Sequence, residues 1–201
     1  MGFRSEWLSA HRWHGSRHLE PVLYGFDKEM PVDRAVALLE AGVENGGDLE
    51  TWLSVLPLGS TVLGLDVDPK ACENEFDVLL CDVTDASAVR SVLRGRWFDV
   101  VVDDTRAGCS EHLWPFIKPG GLLLIEGDVG RATTLIDALS SGEDSWLPGE
   151  ELMRVTCYPG LFVVEKRVPR IHEYLEIAQG QRWPAVPLDE LLECGVKKVV
   201  E

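Results

Sequence analysis

Apolar and polar positions follow a strand–helix rhythm from about residue 33 onward. Ala35 to Ala41 (AVALLEA) is a short apolar run of the kind a buried parallel strand needs, and Gly42 to Gly47 interrupts it. Leu49, Trp52, Leu53 and Leu56 recur at helical spacing until Pro57 ends the helix. Thr61 to Asp66 and Phe76 to Cys81 read as the second and third strands. Val89, Val92 and Leu93 predict an amphipathic helix, with Thr84 or Asp85 as its cap. Phe98 to Val102 is the clearest buried strand. Lys118-Pro119-Gly120-Gly121 predicts a turn, Leu122 to Ile125 a fifth strand, and Leu135, Ile136 and Leu139 a further helix face. The rhythm then changes. Leu152 to Cys157 and Leu161 to Lys166 flank Tyr158-Pro159-Gly160, a strand, tight turn and strand, and Leu188 to Cys194 predicts a short helix closed by Gly195.

Five strand–helix units imply a mostly parallel sheet covered on both faces. The expected architecture is therefore α/β, a Rossmann-like doubly wound sheet that closes with a C-terminal antiparallel hairpin. No repeat or long linker divides the chain, so residues 1–201 are expected to form one domain. Within it, 1–32 reads as a lead-in or lid, 33–167 as the core and 168–201 as a tail.

Composition narrows the partners. The chain of 201 residues is 45% hydrophobic and 26% charged, enough to bury a full core. Lys+Arg 19 against Asp+Glu 34 gives a net charge of -15, which repels nucleic acid and an anionic membrane surface. The start lacks an apolar signal region, and Glu6 stands where a myristoylation signal needs Ser or Thr. Cys72, Cys81, Cys109, Cys157 and Cys194 are odd in number with no CxxC, which suits a reducing compartment. The expectation is a cytoplasmic protein with a small-molecule substrate, and a homo-oligomer is compatible with the sequence.

The acids concentrate where an open α/β sheet binds ligands, at the carboxyl ends of its strands. The first strand runs into Glu40-Ala41-Gly42-Val43-Glu44-Asn45-Gly46-Gly47, a Gly-rich turn without the GxGxxG run of a pyrophosphate site. The second ends in Asp66, a carboxylate suited to ribose hydroxyls, and the third in Asp82, suited to an exocyclic amine. The fourth ends in Asp103-Asp104, the fifth in Glu126-Gly127-Asp128. Any one such acid is ordinarily a loop cap or a solvated charge. Five in succession suit a positive ligand or a metal ion, not a triphosphate.

These features resemble the class I S-adenosylmethionine-dependent methyltransferases, which implies their seven-stranded fold over roughly residues 33 to 167. The resemblance implies that Glu40, Gly42, Asn45 and Gly46 line the methionine moiety and Asp66 holds the ribose. It places Asp82 and Val83 beside the adenine, and Asp103 in the same cofactor set. More narrowly, LLEAGVENGGDLETW, VLGLDVDP, FDVVVDD and KPGGLLLIEGD are similar to the macrocin O-methyltransferase and cephalosporin-hydroxylase-like group. His14-Gly15 and Tyr24 fit that group's N-terminal segment. That resemblance implies Mg²⁺ held by Asp104, Glu126 and Asp128, with Asp104 also catalytic.

The chain departs from the group where the base should be. Asp-Asp-Gly-Ser-His has become Asp103-Asp104-Thr105-Arg106-Ala107, and Glu126-Gly127 displaces Asp128 by one position. Arg106 could pair with the acids in place of a metal, and His112 could stand in as base. His11, His14 and His18 share helical spacing but form an incomplete ligand set between arginines. Trp52 reads as core. Trp7, Trp13, Trp146 and Trp183 could stack on a ring or sugar, with plain packing or an oligomer contact the favoured reading. No G-x-S-x-G or G-x-x-x-x-G-K-[ST] motif supports a hydrolase or a kinase. The expectation is O-methylation of a small hydroxylated molecule or sugar. The rival, motivated by Ala107 and Gly127, is a catalytically silent scaffold or partner-binding protein of the same fold.

Overall fold

The computed structural model describes residues 25–169, apart from 27, 32, 74, 106–107, 128–132, 134, 136, 138 and 140–145. The expectations for His11, His14, His18, Tyr24, Trp7, Trp13, Trp183, Cys194, Arg106, Ala107, Asp128 and Ile136, and for the helix from Leu188 to Cys194, fall outside the described residues.

Seven strands form one sheet: β1 Ala37–Ala41, β2 Thr61–Asp66, β3 Val78–Leu80, β4 Phe98–Asp103, β5 Ile117–Glu126, β6 Leu152–Tyr158 and β7 Leu161–Lys166. Their order is β3-β2-β1-β4-β5-β7-β6, parallel except where β7 runs antiparallel to both β5 and β6. Helices α1 Gly47–Val55, α2 Ala86–Val92 and α3 Ser110–Leu113 follow β1, β3 and β4. β4 shows why the sheet is covered twice: all six of its residues are buried. Val101 points into one apolar cluster with Leu39, Leu65, Val89 and Leu113, whereas Val100 and Val102 point into the other with Leu38, Leu49 and Trp52. The period of two divides one hydrophobic run between two cores.

The mostly parallel sheet and its closing antiparallel hairpin are as the pattern implied, and two details differ. Lys118–Gly121 is a bulge within β5, not a turn before it: Phe98 pairs with Ile117 but Val100 already pairs with Leu122. Gly120 adopts φ 77° there, and a Cβ on Gly121 would lie 2.8 Å from the Asp99 carbonyl oxygen. Glycine therefore permits the extra residues to loop out of the pairing. The third strand is trimmed to Val78–Leu80, the three residues that pair with β2. Of the two candidate caps on α2, Asp85 is the one used, accepting from the Ser87 and Ala88 amides.

The chain enters the described part at the carboxyl end of the sheet. A Cβ on Gly25 would lie 2.6 Å from Leu161 Cδ2 and 2.9 Å from Tyr158 Cδ2, beside the hairpin turn. Arg154 grips Glu29 through both guanidinium nitrogens, at 3.1 and 2.7 Å, and Tyr158 donates to Glu29 at 2.6 Å. Phe26 meets Trp52 edge to face at 5.0 Å. The approach to β1 is thus fastened across the site end of the sheet before it turns down to Val36.

Candidate functional site

β1 and β4 are neighbours whose chains leave toward opposite sides of the sheet, so a crevice opens where they part. The two exits cross at Gly42. A Cβ there would lie 2.8 Å from the Asp104 carbonyl oxygen, and φ is +94°. Only glycine meets both demands. The Asp104 amide donates to the Ala41 carbonyl at 3.0 Å and the Gly42 amide to the Leu65 carbonyl at 2.9 Å, which fixes the floor of the crevice.

The Gly-rich loop has its amides engaged internally. Val43 and Glu44 both donate to Asp66 Oδ2 at 2.9 Å, while the Asp68 amide donates to Asp66 Oδ1 at 2.7 Å. Gly46 donates to the Val43 carbonyl and Gly47 to Asn45 Oδ1. Positive φ at Gly42, Glu44 and Gly46 turns successive N–H groups inward, the concave arrangement that ordinarily captures an anion. Here the captured anion is the protein's own Asp66. A loop so occupied is a poor cradle for a phosphate. Asp66 keeps about one lone-pair site of roughly four for a ligand hydroxyl.

Glu40 has the opposite problem. It is 1% exposed on the α1 side of β1, and its hydrogen-bond donor among the described residues is Trp52 Nε1, 2.8 Å from Oε2. Burial, and after it the charges of Asp48, Glu126 and Asp104, push its pKa well above the ordinary 4.5, and the Trp52 hydrogen bond only partly opposes them. A buried carboxylate ringed by acids is a place for positive charge.

On the other side of the crevice Asp82 is exposed, and Oδ1 accepts from the Thr84 amide at 3.0 Å and hydroxyl at 2.7 Å. Thr84's hydroxyl and amide lower the Asp82 pKa. Val83 is buried, and its carbonyl lies 2.8 Å from His112 Nδ1. His112 Nε2 lies 3.2 Å from Glu111 Oε1. Both ring nitrogens of His112 thus lie against protein oxygens. Asp103 is fully buried and accepts from the Thr105 amide and hydroxyl and from the Ser110 hydroxyl. Those bonds make it a brace beneath the crevice.

Asp104 is exposed at the end of β4 and Glu126 half-buried at the end of β5. Among the described residues no three His, Cys, Asp or Glu side chains gather as metal ligands. Trp146 packs edge to face on Trp114 at 6.5 Å, the plain packing role. Two parts of the site had no sequence signal: the Trp52 indole as donor to Glu40, and the acid Asp48 facing it from α1. No helix among the described residues is long and apolar enough to cross a membrane.

No protein-family model matches the chain, and neither does any curated protein. Solved structures do. The MycE methyltransferase from the mycinamycin biosynthetic pathway, in complex with Mg and SAH, is 25% identical over 90% of this chain, with a TM-score of 0.56. Its complex with Mg, SAH and mycinamycin VI is 28% identical over 87%, with a TM-score of 0.57. This chain spans about half of MycE, 55% and 54% of its length in the two structures. The O-methyltransferase from Bacillus cereus in complex with SAH shares the fold at 13% identity and a TM-score of 0.54, with 82% of this chain and 90% of that one covered. The chain therefore has the class I S-adenosylmethionine-dependent methyltransferase fold and, within it, resembles the macrocin O-methyltransferase group.

Proposed function

We propose that the chain is an S-adenosylmethionine-dependent methyltransferase acting on a hydroxyl of a small hydroxylated molecule or sugar. The observation that carries this reading is Glu40, buried, held by one indole N–H and surrounded by Asp48, Asp104 and Glu126. A cofactor with a sulfonium, an ammonium and no phosphate meets that demand. A dinucleotide would bring a pyrophosphate to a loop whose amides Asp66 already occupies.

Glu40, Gly42, Asn45 and Gly46 border the methionine part, Asp66 offers its remaining lone pair to the ribose, and Asp82 and Val83 flank the adenine. Asp103 acts behind them by holding Thr105 and the start of α3. When bound, the cofactor supplies an electrophilic methyl group. Asp104, exposed at the crevice mouth, takes the hydroxyl proton, and most of the acceleration comes from holding the acceptor in line. The MycE complexes with Mg and SAH support a role for Mg²⁺ at Asp104 and Glu126, joined by Asp128 from outside the described residues.

Incubation with methyl-labelled cofactor and a panel of phenols, diols and sugars, each with Mg²⁺ and with a chelator, tests the reading. Label transfer to one acceptor class is expected. Binding of the cofactor without transfer to any acceptor would favour the silent scaffold, which Ala107 and Gly127 motivate. No binding of the cofactor or its demethylated product would remove the methyltransferase reading altogether.

A further inference from the structure

Among the described residues, His112 is a titratable side chain beside the site that the proposed transfer does not use. It sits on α3, after β4, yet reaches the turn after β3, although β2 and β1 lie between those strands in the sheet. A carbonyl oxygen only accepts, so Nδ1 carries the proton of the 2.8 Å contact to Val83. The turn is held from its other side by Asp82, whose Oδ1 takes both Thr84 donors and whose carbonyl accepts from the Asp85 amide at 3.1 Å. Both Thr84 bonds fall on Oδ1 of Asp82, which is exposed. Val83 is buried and its carbonyl meets the His112 ring, so the 82–85 turn is held at both Asp82 and Val83.

We propose that His112 is a positioning residue that sets the Asp82–Val83 turn for the adenine end of the cofactor, instead of acting as the base of the transfer. This rests on the methyltransferase reading, and it assigns His112 a task in binding that survives whichever residue takes the hydroxyl proton.

Calorimetry of His112→Ala and His112→Asn with S-adenosylmethionine, with its demethylated product and with adenosine tests the assignment, alongside thermal melts. His112→Ala should weaken all three ligands by about five- to tenfold, the scale of one hydrogen bond. Adenosine has no methionine part, so an equal loss there locates the effect at the adenine. His112→Asn, which restores an amide donor near the Nδ1 position, should recover most of the affinity. Should His112→Ala not fold, His112→Phe keeps a ring without a donor and gives the same reading. Unchanged affinity with a lower melting temperature would overturn the proposal in favour of a purely structural residue. Unchanged affinity with a collapsed turnover rate would overturn it in favour of a base. If the wild type binds none of the three ligands, the methyltransferase reading fails and this assignment falls with it. If it binds them and the variants bind equally well, this assignment alone fails.

Discussion

Asp99 and Glu40 are buried acids at opposite ends of adjacent strands, and they are treated in opposite ways. Asp99, near the start of β4, is 7% exposed and receives Arg34 at 2.8 Å, the Ala37 amide at 2.8 Å and Lys118 at 3.2 Å. Burial alone would raise its pKa, but the Ala37 amide and the two cations outweigh burial and lower it from the ordinary 3.8. Glu40, near the end of β1, has an indole N–H and a ring of acids, and its pKa is raised. The amino end of the sheet completes its own charge balance. At the carboxyl end, Glu40 is surrounded by Asp48, Glu126 and Asp104 and its carboxyl is held toward the protonated form, and that difference separates the two buried acids.

Removing Asp99 should hurt stability most. Asp99→Ala strips the Ala37 amide and two cations of their acceptor and should cost on the order of 3 kcal/mol in urea unfolding. Cofactor affinity should stay unchanged wherever the variant is folded. Because the folded pKa of Asp99 lies below 3.8, its stabilisation is present above pH 3.8 and lost as pH falls through the folded value. The variant's stability should therefore fall less steeply in acid than the wild type's.

Gly42→Ala comes next. A side chain at φ +94° costs about 1–2 kcal/mol, and its Cβ would press on the Asp104 carbonyl. Melting temperature and cofactor affinity should fall together, because the crossing at Gly42 shapes the crevice. A stability loss with affinity intact would show that the crossing serves the fold alone.

Glu40→Gln should have the smallest effect on stability, and in the opposite direction. Between pH 4.5 and its raised folded pKa, the folded state holds a proton that the unfolded chain has released, so stability declines as pH rises through that window. Glutamine still accepts from Trp52 and removes this decline. The variant should melt higher than the wild type at neutral pH while binding the cofactor about tenfold more weakly, a difference of about 1.4 kcal/mol. Higher stability without weaker binding would break the contrast with Asp99.

Much of this was legible in the chain because the strands at the centre are buried on both faces and so read as uninterrupted apolar runs, as Phe98 to Val102 does. The acids at strand ends could be counted in sequence, but their roles could not. Asp66 accepts from the Val43 and Glu44 amides of the loop after β1, which lie over twenty positions away in the chain, whereas Asp103 accepts from Thr105, two positions on. The contact between His112 and the Val83 carbonyl has no signal in the chain, because the two residues lie 29 positions apart. The Lys118–Gly121 segment looked like a turn because the same residues serve a bulge as well as a turn, and only pairing with β4 decides between them.

A crystal structure of the protein soaked with S-adenosylmethionine tests the central claim most directly. The account predicts the cofactor across the carboxyl ends of β1, β2 and β3, with a ribose hydroxyl about 3 Å from an Asp66 oxygen, the adenine amine beside Asp82 and positive charge toward Glu40. A cofactor lying elsewhere, or one in this crevice with its ribose far from Asp66 and its sulfonium and ammonium turned away from Glu40, would contradict it.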